Sequence, residues 1–157
     1  SSAASDVYKR QMDLYSRKII SWVLSETLEA SHVVECVEKA KRVRNVEKPL
    51  IFHCDRGCQY VSEAFQKATK GMIHSYSKKA YPWDNACIES FHALLKREWI
   101  NRFKIFNYAH AHKLIFEYIE TFYNTVRIHS HCGYLSPNEY EEQYLENIEE
   151  NAVKIAS

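Results

Sequence analysis

Leu50-Ile51-Phe52-His53-Cys54-Asp55-Arg56-Gly57 decides how this chain folds. Leu50 to His53 is a short, continuously apolar run, the pattern of a strand buried on both faces. It ends on Cys54-Asp55-Arg56-Gly57, so a carboxylate sits at the C-terminal tip of a strand. Downstream, Ser62 is placed to cap a helix through about Lys70, Gly71 ends it, and Met72 to Tyr76 is a short strand. Pro82-Trp83-Asp84-Asn85 then opens a long helix, with Asp84 or Asn85 as N-cap and an apolar stripe of Ile88, Phe91, Leu94, Leu95 and Trp99. A further helix is expected from about Tyr108 to Tyr123, its core side carrying Ala111, Ile115, Tyr118, Ile119 and Phe122, and Ser136-Pro137-Asn138 opens a short final one.

Upstream of the opening run, Asp13 to Arg17 is a hairpin turn leading into the β-rich Lys18 to Leu24. Ser31 is expected to cap a helix through about Arg44, and Pro49 closes the loop after it. Residues 1–11, SSAASDVYKRQ, lack periodicity and are set aside as an appended leader. Strands and helices alternate, which predicts an α/β layer architecture. Only two or three strands are visible, fewer than the five or six or so of a mean sheet.

A length of 157 residues fits one domain with a real core. No run of about 18 apolar residues occurs, so no membrane span is expected, and no signal peptide stands at the start. The five cysteines are odd in number and irregular in spacing, which reads as reduced thiols in a cytoplasmic protein. Zinc on His53, Cys54 and Cys58 with His129, His131 and Cys132 is the alternative, but the second cluster does not repeat the spacing of the first. The net charge of +1 conceals an asymmetry. Six of the 20 acidic residues fall from Glu139 onward, against Lys154 alone among the basic ones. The body therefore carries 20 basic against 14 acidic residues, a balance of +6 ahead of an acidic tail. Such a body suits nucleic acid, and it equally suits an ordinary solvated surface.

Two acids stand out by position: Asp55 at the strand tip, and Glu89 one turn into the long helix. Two such carboxylates can share a divalent cation, since Mg²⁺ takes hard oxygen ligands, about one or two of them carboxylates. Glu89 and Lys96 are seven apart and share a helix face, with the small Ala93 between them, so Lys96 is placed to hold a phosphate. Lys96, Arg97, Arg102 and Lys104 form a basic cluster interleaved with Trp99 and Phe103. Each feature has a plainer reading: Asp55 as a turn cap, Glu89 as a helix-dipole partner, Lys96 as a side chain lying over the core.

Three longer motifs carry a resemblance. His53-Cys54-Asp55-Arg56-Gly57-Cys58-Gln59-Tyr60-Val61-Ser62, Asp84-Asn85-Ala86-Cys87-Ile88-Glu89-Ser90-Phe91 with Leu95-Lys96-Arg97-Glu98, and Phe122-Tyr123-Asn124 with Arg127, His129-Ser130, Gly133-Tyr134 and Ser136-Pro137 occur in this order. Together they resemble the motifs of bacterial insertion-sequence DDE transposases with a retroviral-integrase-like catalytic core. The match covers residues 12 to about 143, and the Asp13–Arg17 turn and Trp22 also look like theirs.

The resemblance implies a ribonuclease-H-like fold with a mixed central sheet flanked by helices. It implies an Asp-Asp-Glu triad holding two Mg²⁺ or Mn²⁺ ions, and phosphodiester cleavage followed by strand transfer. DNA, as element ends and target, is the implied partner, bound by a homo-oligomer. By position Asp55 matches the second acid and Glu89 the third, 34 residues apart. Lys96, Arg97, Arg56, Arg127 and His129 are the expected DNA contacts.

The departures matter too. The first acid belongs on a strand upstream of the Asp13 turn and has no counterpart here, so the fold is expected without its first strand and the chain without activity of its own. Cys54 and Cys132 replace the usual Ser and Leu, and Ala80 the common Gly. The expected organisation is a leader over 1–11, a partial core over 12–143 and an acidic tail over 144–157. The rival readings are a ribonuclease-H-like nuclease and an inactive or domesticated DNA-binding remnant; fold alone does not choose the reaction.

Overall fold

The computed structural model describes residues 8–27, 29–44, 49–55, 57, 60, 62–78 and 82–156. They form two compact units, one of residues 1–12 and 19–94, the other of 13–18 and 95–157.

In the first unit, β1 (Tyr8–Met12) and β2 (Ile19–Leu24) pair antiparallel, with Tyr8 opposite Leu24 and an irregularity at Gln11 and Met12. Residues 8–11, expected to be leader, are therefore part of a strand: the β2 ladder gives their backbone N–H and C=O groups partners that sequence periodicity does not register. Helix α1 (Ala30–Val43) follows. Its N-cap is Glu29, without a side-chain cap, while Ser31 lies inside the first turn and donates to the Glu29 carboxylate at 3.3 Å.

Strand β3 (Ile51–Cys54), helix α2 (Glu63–Ala68) and strand β4 (Ile73–Tyr76) make a parallel crossover, with Ile51 opposite Ile73 and Cys54 opposite Tyr76. Ser62 caps α2 as expected, accepting from the Phe65 N–H at 3.2 Å. Gly71 leaves it at φ +88°, where a Cβ would be strained. The core of this unit joins Val33 and Val37 of α1 to Phe52, Cys54, Phe65 and Ala68. The Phe52 and Phe65 rings meet edge-on at 5.4 Å. On the same helix, the Cys36 carbonyl accepts from the Ser21 hydroxyl of β2 at 2.7 Å.

Two expectations are corrected here. The described strands form two separate two-stranded sheets, β1–β2 and β3–β4, not one mixed central sheet. Helix α1 packs on β1 and β2 and shares a core with Phe52 and Cys54 of β3, but no backbone ladder joins the two sheets among the described residues. Nor is β3 buried on both faces: Phe52 and Cys54 point into the core, while Ile51 is 66% exposed. Side chains alternate along a strand, and α1 and α2 cover one face only.

The second unit is helical. The 3₁₀ turn Pro82–Asn85 leads into α3 (Ala86–Glu98), which passes into this unit at Leu95. A second 3₁₀ turn, Ile100–Arg102, precedes α4 (Tyr108–Phe116), capped by Asn107, whose side chain accepts from the His110 N–H at 2.9 Å. The expected helix to Tyr123 is present, but Glu117–Tyr123 is wound as a π-helix. Its wider turn brings Tyr118 and Tyr123, five residues apart and both buried, to a ring separation of 5.9 Å.

Gly133 and Tyr134 then sit at φ +64° and +65°, turning the chain so that His129 bridges Leu135. Helix α5 (Pro137–Ala156) runs unbroken for 20 residues, so the expected boundary at 143/144 falls inside a helix. A capping box explains its start. The Ser136 N–H donates to the Glu139 carboxylate at 2.8 Å, and the Glu139 N–H donates to the Ser136 hydroxyl at 3.4 Å, with Pro137 at the first helical position. No Gly or Pro occurs from Asn138 to Ala156 to interrupt it. No described helix is long and apolar enough to cross a membrane.

The Asp13–Lys18 turn belongs to this unit. The Asp13 carboxylate accepts from the Tyr15 and Ser16 N–H groups at 2.8 and 3.1 Å. Ser16 then donates to Glu141 at 2.7 Å, Lys18 pairs with Glu141 at 3.3 Å, and Tyr15 stacks on Tyr140 at 4.9 Å.

Candidate active site

Asp55 leaves the end of β3 with its side chain exposed, and one oxygen accepts from the Gly57 N–H at 2.8 Å. That bond is the turn-capping role expected of an Asp after a strand, and it leaves the second oxygen available to a cation. Beside it Cys54 is pushed up to about 11 by burial and then by the Asp55 charge. It stays a neutral thiol at physiological pH, which disfavours it as a metal ligand. The same two causes push Tyr60 up to about 12. Glu89 lies in the first turn of α3, also exposed.

The link between the two acids runs through Ser77. Its N–H donates to the Cys54 carbonyl at 3.0 Å, immediately before Asp55. Its hydroxyl donates to Asn85 Oδ1 at 3.0 Å, four residues and so one turn ahead of Glu89. The same hydroxyl lies 3.4 Å from the Cys54 carbonyl and 3.3 Å from His53 Nε2, and His53 Nδ1 lies 2.9 Å from Ser75 Oγ. The chain Ser75–His53–Ser77–Asn85 thus ties β4, β3 and the start of α3 together. Asp84 adds a strut by accepting from the Lys78 N–H at 2.8 Å. Asp84 and Asn85, expected as helix caps, spend their side-chain oxygens on the preceding strand segment.

Ser77 was not anticipated, and His53 was weighed only as a zinc ligand. His53 stands inside the first motif, which was the available signal; Ser77 lies between motifs and has none.

Of the expected DNA contacts, Lys96 is half-buried and Arg97 exposed in the last turn of α3, with Arg97 3.9 Å from Glu98. Arg56 lies outside the described residues, as does Cys58. Arg127 and His129 point inward. Arg127 grips Glu98 with two parallel bonds, Nε at 2.8 Å and Nη2 at 2.7 Å, and its Nη1 donates to the Ile128 carbonyl at 3.2 Å. Tyr118 also donates to Glu98, at 2.8 Å.

These bonds hold Glu98 below the usual carboxylate range. His129 is buried against the Tyr123 ring at 4.7 Å, and desolvation, with Arg127 nearby, lowers it to about 4. It is neutral at physiological pH. Arg127 is engaged by Glu98 and His129 is buried beside it, so both sit within the packing of the closing motif against the end of α3. Glu98, in the second motif, is the partner that sequence reasoning missed.

Among the described residues no group of three potential metal ligands gathers. Asp55 and Glu89 nevertheless fit a hard divalent ion chemically: both are exposed oxygen donors, and Mg²⁺ is held by about one or two carboxylates with its other positions left to water and substrate.

The comparisons with known proteins agree with the motifs. Two family models, each described as an integrase core domain, match residues 10–83 and 70–137. The chain is 41% identical over 132 residues to the transposase for insertion sequence element IS904 of Lactococcus lactis, covering 83% of this chain and 52% of that protein. It is 37% identical over 136 residues to the transposase InsF for insertion sequence IS3A of Escherichia coli, covering 85% and 47%. The chain spans about half the length of the curated relatives it matches. It belongs to the integrase core family of insertion-sequence transposases.

Proposed function

We propose that this chain supplies two of the acids, Asp55 and Glu89, of a centre that cuts and joins DNA phosphodiesters during transposition. The observation that carries the reading is the Ser77 bridge, which ties the strand end bearing Asp55 to the helix start bearing Glu89. Mg²⁺ or Mn²⁺ bound there would supply the charge that activates a hydroxyl nucleophile and stabilises the leaving oxygen. The chain's own residues hold the carboxylates in place: Ser77 and Asn85 fix the approach of α3, and the Gly57 N–H orients Asp55. Lys96, two turns beyond Glu89 on α3, and Arg97 beside it contact DNA phosphates. The first acid comes from a strand upstream of the Asp13 turn. β1 and β3 each have one partner strand among the described residues, so each has an edge able to take another.

The test is cleavage and strand transfer on terminal-repeat DNA with Mn²⁺. It compares this chain, a version extended upstream through the first acid, and the extended version carrying Asp55→Asn or Glu89→Gln. Activity confined to the extended unsubstituted protein is expected. Equal activity in the substituted proteins defeats the assignment.

A further inference from the structure

Between Glu98 and Glu117, 18 consecutive residues contain no carboxylate. They contain Arg102 and Lys104, both exposed and neither in an ion pair among the described residues, and Lys113, which sits 3.8 Å from Glu117. Aromatic residues alternate with the cations, and four of them face water: Phe103, Phe106, Tyr108 and Phe116. A run of exposed rings in one segment marks a surface kept for a partner.

The local structure presents them firmly. Trp99 backs Phe103 at 5.8 Å. Phe106 lies flat on His110, with centroids 5.3 Å apart and planes at 16°, and the Phe106 N–H donates to His110 Nδ1 at 3.4 Å. The Asn107 cap fixes α4 directly behind it. Phe106 nonetheless remains 73% exposed, its ring held by a neighbour on one side and open to stacking on the other.

We infer that residues 102–108, the segment entering α4, form a binding site for unpaired DNA, with Phe103, Phe106 and Tyr108 as stacking platforms and Arg102 and Lys104 as phosphate contacts. Exposed rings interleaved with cations suit single-stranded nucleic acid, because every base has a face to stack on and the backbone supplies the charge. Duplex keeps its base faces stacked within itself and offers mainly its phosphates. The absence of any acid over the segment argues for a polyanion ahead of a protein surface of mixed charge. The site deepens the reading of the chain as part of a DNA transposase, and it uses neither of the two carboxylates assigned there.

The experiment is fluorescence anisotropy with a labelled oligonucleotide of about 15 nucleotides, free and annealed into duplex, across a salt series. Phe106→Ala should weaken single-strand binding about tenfold while leaving duplex binding, the salt slope and thermal unfolding nearly unchanged, and Phe106→Trp should retain affinity. Lys104→Ala should weaken both forms and flatten the single-strand salt slope by about 0.7. Single-strand affinity unaltered by Phe106→Ala overturns the inference, as does a parent chain that binds no DNA. Self-association in sedimentation that Phe106→Ala abolishes, with DNA affinity intact, shows the face to be an interface between copies and equally overturns it. The strand-transfer test reads cleavage by the extended protein and this one reads single-strand affinity of the chain itself, so the two readings fail separately.

Discussion

Arg127 shows how far a residue's role depends on what surrounds it. A guanidinium inside the closing motif invites a phosphate reading, yet all three of its nitrogens are engaged within the fold. The pair with Glu98 is about one-fifth exposed on each side, between the surface case, where such pairs contribute little, and the fully buried one. Arg127→Ala should therefore destabilise the chain by about 1–3 kcal/mol in chemical denaturation. Arg127→Lys should recover little, because an ammonium cannot make the two parallel bonds. His129 beside it refuses a proton in the fold down to about pH 4, whereas the unfolded chain takes one near 6.5. The unfolded state thus binds more protons between those values. Stability from this group is full above pH 6.5, falls as pH drops through the window, and loses nothing more below about 4. Its ring resonances in NMR should titrate near pH 4; a midpoint near 6.5 would show the ring to be solvated. Glu98 adds loss on the acid side, since its lowered carboxyl gives stability that disappears as pH falls through its folded value.

At the scale of elements, the caps decide where helices begin. Ser62 and Asn107 each accept a backbone N–H at the start of α2 and α4, and Ser136 with Glu139 closes a reciprocal box on α5. Ser136 is wholly buried, so its hydroxyl has no water to replace a lost partner. Ser136→Ala should cost about 1–2 kcal/mol, read as a shift in denaturation midpoint, and should fray the first turn of α5 in hydrogen exchange. A change within a few tenths of a kcal/mol would mean that Pro137 alone starts the helix. The caps of α2 and α4 are local, Ser or Asn followed by the helix. Asp84 and Asn85 have the same local look, but Lys78 and Ser77, just after β4, claim their oxygens.

Across the whole molecule, charge is segregated along the chain: a body with a surplus of +6, then a helix rich in glutamate. Glu142, Glu146 and Glu149 are exposed on α5 and repel a polyanion at distances set by the salt, with a screening length of about 8 Å at physiological strength. Replacing these three by Gln should raise duplex affinity several-fold or so at low salt, with the gain fading as salt rises. A gain that persists at high salt would point to a direct contact.

The sequence by itself determined the alternation of strand and helix, the hairpin turn at Asp13, the cap at Ser62, a helix opening at Ser136, and the positions of Asp55 and Glu89. Each of these is a short-range matter: periodicity, turn chemistry, or a motif read in order. Tertiary structure alone decided that residues 8–11 pair as a strand, that the strands stand as two pairs, and that Ile51 faces water, because ladder partners and covered faces come from segments distant in sequence. It alone brought Ser77 between β3 and α3, and turned Arg127 and His129 inward. Hydrogen bonds spanning 20 to 30 residues leave no periodic trace, and a cation reads the same in sequence whether it faces a phosphate or, like Arg127, a carboxylate 29 positions away.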